Sequence, residues 1–327
     1  MKFLINTAKR TTMGFCLLLA SGLNAPNALA AYPDRPITIV VPFGAGSGTD
    51  AIARMLSQGL TDKLGQPVAV VNKAGAGGII GASSVAHSAG DGYTLLLATS
   101  GPMAANASLY SKLPYDPLKD FEPISIVAKR PMVILASKQA KAKTFPEIID
   151  EAKSHPGNVN FGSSNTTSRV FVELLKKAKN VQVETVLYKD VGSLMTDLIS
   201  NRVSYAFEDA GPSLTQIRAD KVNLVAVADK KRAKFASETP ATGEYEFDEH
   251  SLVTWYAVFA PKNTPPELIS KLNEVINQYA KGPEMKKMAE DVGLELVDVT
   301  PDEFKKFQRK EVKKWEHLVE LTGVKLD

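Results

Sequence analysis

Cysteine is all but missing from this 327-residue chain: the single one, Cys16, lies inside an apolar N-terminal run. Once that run is removed no thiol remains, which excludes both a disulfide framework and thiol catalysis. Nucleotide-binding signatures are missing as well. Thr49 stands where G-x-G-x-x-G needs its third glycine, and no G-x-x-x-x-G-K-[ST] loop occurs. Ser47 has Ala45 and Thr49 where a G-x-S-x-G nucleophile elbow needs glycines. His87, His155, His250 and His317 lie far apart without metal-ligand spacing, so neither a metal nor another cofactor is expected. Distance along the chain does not forbid a triad assembling in space, and a hydrolase stays open on these grounds alone.

Long apolar runs and a charge surplus are the next absences. Residues 1–30 carry Lys2, Lys9 and Arg10, then the apolar stretch Met13 to Ser21, then the small-x-small site Ala28-Leu29-Ala30. That order is a secretory signal peptide, and the apolar stretch is too short for a membrane helix. The segment holds three basic and no acidic residues, so the remainder has 39 − 3 = 36 Lys+Arg against 36 Asp+Glu. No basic patch stands out, and nucleic acid is not an expected partner. The expectation is a soluble, monomeric, exported protein of the periplasm.

What the chain does have is a strand, a glycine loop and a helix start in Pro36 to Arg54. Ile37 to Val41 is β-branched, Gly44, Gly46 and Gly48 follow, and an amphipathic pattern opens at Thr49 and Asp50. Loop glycines bring a ligand close to bare N–H groups, and the first helical turn adds unpaired donors at the positive end of its dipole. The combination suits a carboxylate or phosphate, although a tight strand-to-helix connection would use the same residues. A second strand, Val68 to Val71, leads into Gly75, Gly77, Gly78 and Gly81 and a helix near Ile79 to His87, and Tyr93 to Ala98 forms a third strand.

Further along, Val133 to Ser137 reads as a strand leaving this unit. A second series follows: strand Asn160-Phe161, helix Ser168 to Lys179, strand Glu184 to Leu187, helix Val191 to Ser200, strand Val203 to Phe207, helix Pro212 to Ala219 and strand Asn223 to Val227. Lys230 to His250 is a polar loop returning to strand Trp255 to Ala260. Thr144/Glu147, Thr264/Glu267 and Thr300/Glu303 each read as a capping box. The fold class is therefore α/β, with mostly parallel strands in two units.

Four segments, PFGAGSGTDAIAR (42–54), NKAGAGGIIGASSVAHSAGDGYTLLLA (72–98), LYKDVGSLMTDLISNRV (187–203) and WYAVFAPKNTPPELISKLN (255–273), closely resemble the substrate-binding proteins of tripartite tricarboxylate transporters, the Bug family. The resemblance implies a two-lobed periplasmic-binding-protein fold (type II, Venus-flytrap). Lobe one would span residues 32–132 and 253–327 and lobe two 133–252, with hinge strands near 131–137 and 250–257. It also implies a non-enzymatic receptor that closes on a small organic carboxylate, a dicarboxylate or an aromatic acid, and hands it to membrane transporter subunits. A sensory or scaffold receptor of the same fold is the alternative.

In members of this family main-chain groups and hydroxyls of the two glycine loops hold the carboxylate. The resemblance carries that role to Phe43, Gly46, Ser47, Thr49 and Asp50 in the first loop and Ala76 and Gly77 in the second, with Ser100 beside them. Lobe two departs from the family pattern YGSSGxGSxxHLxxE: the chain reads FGSSNTTSRVFVE (161–173), two residues shorter, with Arg169 in place of the histidine, and Asp190 replaces the glycine of YKG. Ser163, Ser164, Asn165 and Thr166 are candidate anion donors, though such clusters also build ordinary loops. Arg169 is a fork for a second carboxylate, or else a solvated arginine or a partner for Glu173 one helical turn later. Asp209 is placed to meet a ligand ammonium or to make a hinge hydrogen bond, and Lys189 to neutralise Asp190 or line the rim.

Overall fold

Strand β1 (Ile37–Val41) ends in the first glycine loop, which runs into helix α1 (Gly48–Leu64). The computed structural model describes residues 32–247 and 252–326, so the signal segment with Cys16 and the start of the second expected hinge lie outside the described residues. Ser47 caps α1: its hydroxyl accepts from the Asp50 N–H at 3.1 Å. Strand β2 (Val68–Asn72), helix α2 (Ile79–Ala86) and strand β3 (Thr94–Thr99) follow as expected. After β3 the backbone winds one π-helical turn, Gly101–Ala105, into helix α3 (Asn106–Leu109), neither of which the sequence signals.

Strand β4 (Phe121–Ser137) is longer than its sequence suggests, running 17 residues where only Val133 onward reads as a strand. Pro123, Pro131 and the charged pair Lys129-Arg130 hide its first half. Register shifts at Pro123/Ser125 and Ile126/Ala128 absorb the irregularity, as prolines within a sheet require.

The second unit runs α4 (Phe145–Ser154), β5 (Asn160–Ser163), α5 (Thr166–Lys179), β6 (Glu184–Leu187), α6 (Val191–Ile199), β7 (Tyr205–Asp209), α7 (Ala210–Arg218) and β8 (Val222–Val227). The chain returns through β9 (Val253–Pro261), α8 (Pro266–Ala280), α9 (Pro283–Val292), β10 (Glu295–Leu296) and α10 (Pro301–Thr322), of which α9 and β10 were not expected. The capping boxes at Thr144 and Thr300 form. The one at Thr264 does not, because Pro265 takes the N-cap position and the Thr264 hydroxyl donates to the Pro261 carbonyl at 2.8 Å.

Among the described residues the strands join in one sheet, β2-β1-β3-β9-β4-β7-β5-β6, with β8 and β10 also paired to β4. The flanks β2-β1-β3 and β7-β5-β6 are parallel, while the pairings of β4 and β9 are antiparallel, so the sheet is mixed where a mostly parallel one was expected. The reason is topological: β4 leaves the first unit and β9 returns to it, so the connecting strands lie side by side in opposite directions. Phe121 to Pro131 of β4 pairs with β9, and Met132 to Ala136 pairs with β7.

Helix α10 packs on α3, β4 and α5 and so touches both units. Lys177 of α5 donates to the Leu321 carbonyl at its end, and the Leu326 N–H donates to Leu109 at 3.0 Å. Trp255, fully buried, donates its indole N–H to Glu311 of the same helix at 3.1 Å.

Gly81 of α2 has no room for a side chain: a Cβ there would lie 2.7 Å from Pro42 Cα and 2.8 Å from the Lys73 carbonyl. These are backbone atoms of the two glycine loops and cannot swing aside. Gly81→Ala should lower the unfolding free energy by about 2 kcal/mol, read as a fall in the urea midpoint with an unchanged slope.

Candidate functional site

The carboxyl ends of β1 and β3, the loop after β2 and the amino ends of α1, α5 and α7 surround a cleft of about 410 Å³. Helix amino ends carry unpaired N–H groups and a positive dipole end, so three of them facing one cleft favour an anion there.

From the first unit Phe43, Ser47, Gly48 and Thr49 line the cleft, with Thr99 and Ser100 at the end of β3. Asp50, expected at the ligand, is instead consumed within the loop. Its Oδ2 accepts from the Gly46 N–H and from Arg54 Nε, both at 2.9 Å, and its Oδ1 accepts from Asn72 Nδ2 at 3.0 Å. The same amide also donates to the Phe43 carbonyl at 3.0 Å. The Arg54 hydrogen bond, helped by Gly46 and Asn72, lowers the Asp50 pKa to about 2. Asp50 therefore rivets the loop, and exposed Gly46, at φ +80°, supplies its turn without lining the cleft. In the second loop Gly77 reaches the cleft and its carbonyl accepts from Asn106 Nδ2 at 3.1 Å, while Ala76 is exposed and off the lining.

From the second unit Asn165, Thr166 and Thr167 line the cleft, and Ser163 and Ser164 do not. The Ser163 hydroxyl bonds that of Ser168 at 2.8 Å. Ser164 donates to Glu208 Oε1 from its N–H at 3.1 Å and its hydroxyl at 2.6 Å, and Asn165 Nδ2 donates to Oε2 at 3.1 Å. Glu208 is buried, and burial raises its pKa to about 7 against the pull of the Ser164 hydrogen bonds. Its place in β7, among buried neighbours, is the one signal that a fixed carboxyl anchors this loop. Arg169 is half-buried in the first turn of α5, away from the cleft lining and without a partner among the described residues. Glu173 pairs with Lys176 at 2.8 Å, not with Arg169. Asp190 caps α6 by accepting from the Ser193 N–H at 2.8 Å.

The residue that sequence reasoning passed over is Arg130. It is 6% exposed, lines the cleft, and lies with its guanidinium carbon 5.1 Å from the centre of the Tyr256 ring. Glycines at the first turns of two helices make room for it: a Cβ on Gly48 of α1 would stand 3.3 Å from Nη1, and one on Gly211 of α7 would stand 2.9 Å from Cζ. Its Nε is buried without a hydrogen-bond partner, and among the described residues no carboxylate lies within the 4.0 Å of an ion pair. Asp209, which does line the cleft, also keeps a buried, unpartnered Oδ1. Burial raises the Asp209 pKa, while the charge of Arg130 and the Thr254 hydroxyl oppose the rise.

Residues 52–324 match the model of the tripartite tricarboxylate transporter family receptors. Protein BugT of Bordetella pertussis is 34% identical over 312 residues, covering 94% of this chain and 96% of BugT. Two solved structures from Rhodopseudomonas palustris are similar throughout. Rpa4515 with adipate is 28% identical with a TM-score of 0.79, over 89% of this chain and 98% of that one. MatC with bound malate is 29% identical with a TM-score of 0.75, over 88% and 100%.

The buried Glu208 carboxyl makes stability depend on pH. The folded protein keeps its proton up to about pH 7, whereas the unfolded chain releases it near 4.5, so stability falls as pH rises through that window and is level above it. The loss is up to about 3 kcal/mol. Urea midpoints at pH 5 and pH 8 should differ in that direction, and Glu208→Gln should flatten the difference.

Proposed function

Since the chain belongs to the tripartite tricarboxylate transporter receptor family, in which it is a solute-binding receptor and not an enzyme, we propose that it captures a small organic carboxylate in the periplasm for a membrane transporter. The lobes that close on the ligand are residues 32–132 with 253–327, and 133–252. A cleaved N-terminal signal exports the protein, and it acts as a monomer. Among the described residues no helix is long and apolar enough to cross a membrane.

One observation carries the assignment of the cleft: a buried, unpaired guanidinium stands at the amino ends of α1 and α7. Helix dipoles and a cation there repel one another, and an anion relieves that repulsion at once. A carboxylate fits Arg130 as a planar acceptor, with the Ser47, Thr49, Thr99, Ser100 and Thr166 hydroxyls around it. Adipate and malate, bound by two structural relatives, are both dicarboxylates, which supports a dicarboxylate over an aromatic acid. Ligand binding draws the lobes together, and the closed form is what the transporter subunits recognise.

A thermal-shift screen against mono- and dicarboxylates and aromatic acids should raise the unfolding temperature for one class and leave those compounds chemically unchanged. Arg130→Met should weaken that ligand about 100-fold or more while the protein stays folded. Gly211→Ala should weaken it about tenfold by pushing the guanidinium aside, since the atom met is the end of a flexible side chain. Unchanged affinity in both variants would remove Arg130 from the site.

A further inference from the structure

Asp209 departs from the other polar residues that stand at the N-caps of this chain's α-helices. Ser47, Thr144, Asn165, Asp190 and Thr300 each turn their side-chain oxygen onto their own helix and accept from the N–H three residues on. Asp209 holds the N-cap of α7, yet its carboxyl makes no capping bond. An aspartate at that position ordinarily gains about 1 kcal/mol from the bond. Instead the carboxyl lies in the cleft with Oδ1 buried and unpartnered.

The unpaired acceptor shares the cleft with an unpaired donor. Register places Asp209 directly opposite Met132 on the antiparallel pair of β7 and β4, two residues along β4 from Arg130. The two side chains are near enough for the arginine's charge to act on the carboxyl, yet no ion pair closes between them. A carboxyl oxygen and a guanidinium nitrogen that are both buried without a partner favour a ligand group that answers both side chains.

Resting on the carboxylate reading above, we infer that Arg130 and Asp209 together select an acid bearing a hydrogen-bond donor beside its carboxylate, a 2-amino or 2-hydroxy acid. The carboxylate meets the guanidinium of Arg130, and the neighbouring ammonium or hydroxyl donates to the carboxyl of Asp209. A plain acid fills the first position and leaves the second acceptor buried and unsatisfied, and such a deficit is what separates hydroxylated or aminated substrates from their bare analogues in polar pockets.

The experiment is a calorimetric titration of the purified protein with matched triads that differ only at carbon 2: propionate, lactate and alanine; succinate, malate and aspartate; glutarate, 2-hydroxyglutarate and glutamate; 3-phenylpropionate, phenyllactate and phenylalanine. Within the triad that binds, the hydroxy or the amino member should exceed the plain acid by about tenfold or more, the worth of one hydrogen bond to a charged group. Whichever of the two leads identifies the donor as hydroxyl or ammonium. Asp209→Ala should erase that preference, so that the members of the binding triad bind alike. Equal affinity across the binding triad, or a preference for the plain acid, overturns the inference while the carboxylate receptor stands. Failure of every acid to bind, plain or substituted, overturns both.

Discussion

Everything in this molecule turns on β4 pairing with strands of both α/β units. A strand of 17 residues is long enough to pair with β9 over its first part and with β7 and β8 over its last, so the two α/β units share backbone hydrogen bonds through a single rod. The change of partner falls between Pro131 and Met132. Proline has no N–H to donate and restricts the residue before it to extended backbone, which suits a strand passing from one set of neighbours to another. Arg130 precedes that proline, so the one unpaired buried cation of the cleft stands at the junction and not on either loop.

Around that junction the helices are arranged by how they spend their first turns. Helices α4, α6 and α10 are sealed by their own caps, which satisfies donors that would otherwise compete for a ligand. Those facing the cleft are sealed only in part. Ser47 and Asn165 each bond one N–H, leaving the remaining first-turn donors of α1 and α5 directed at the space where Thr49, Thr166 and Thr167 add hydroxyls. Asp50 and Glu208 do not enter that space. They hold the loops that shape it, each carboxyl gathering three donors from neighbouring loop residues and side chains. The cleft is thus polar by its donors, while its acids serve as fixed posts behind the wall, with Asp209 as the exception.

Much of this order is legible in the chain alone. The β-branched run at Ile37 to Val41 and the glycines after it mark β1 and its loop because few other conformations suit those residues, and the Thr-Phe-Pro-Glu and Thr-Pro-Asp-Glu boxes fix the starts of α4 and α10. What escaped has a common cause. Arg130 and Glu208 acquire their roles from burial and from strands paired across the sheet, and neither is written in local spacing. The first half of β4 was hidden by its prolines and charges for the same reason: tertiary partners hold residues that local propensity would exclude. The Ser164 hydroxyl illustrates the converse. It has the chemistry of an anion donor and is already taken by Glu208.

In the proposed receptor the junction also gives a small ligand a way to move the two lobes. A contact made only to one lobe changes its affinity for solute but not the balance between open and closed forms, because a ligand shifts that balance only by what it gains in one form and not the other. A carboxylate on Arg130 escapes this limit. The guanidinium is packed against Gly48 at the start of α1 and Gly211 at the start of α7, one helix from each unit. Neutralising it removes the same repulsion from both helix ends at the same moment. In the proposed receptor closure is then favoured by an electrostatic term that neither lobe can supply alone, and the strength of that term depends on keeping Arg130 unpaired until the ligand arrives. That requirement gives a physical reason for Asp209 to stand close enough to feel the charge of Arg130 and too far away to close an ion pair with it.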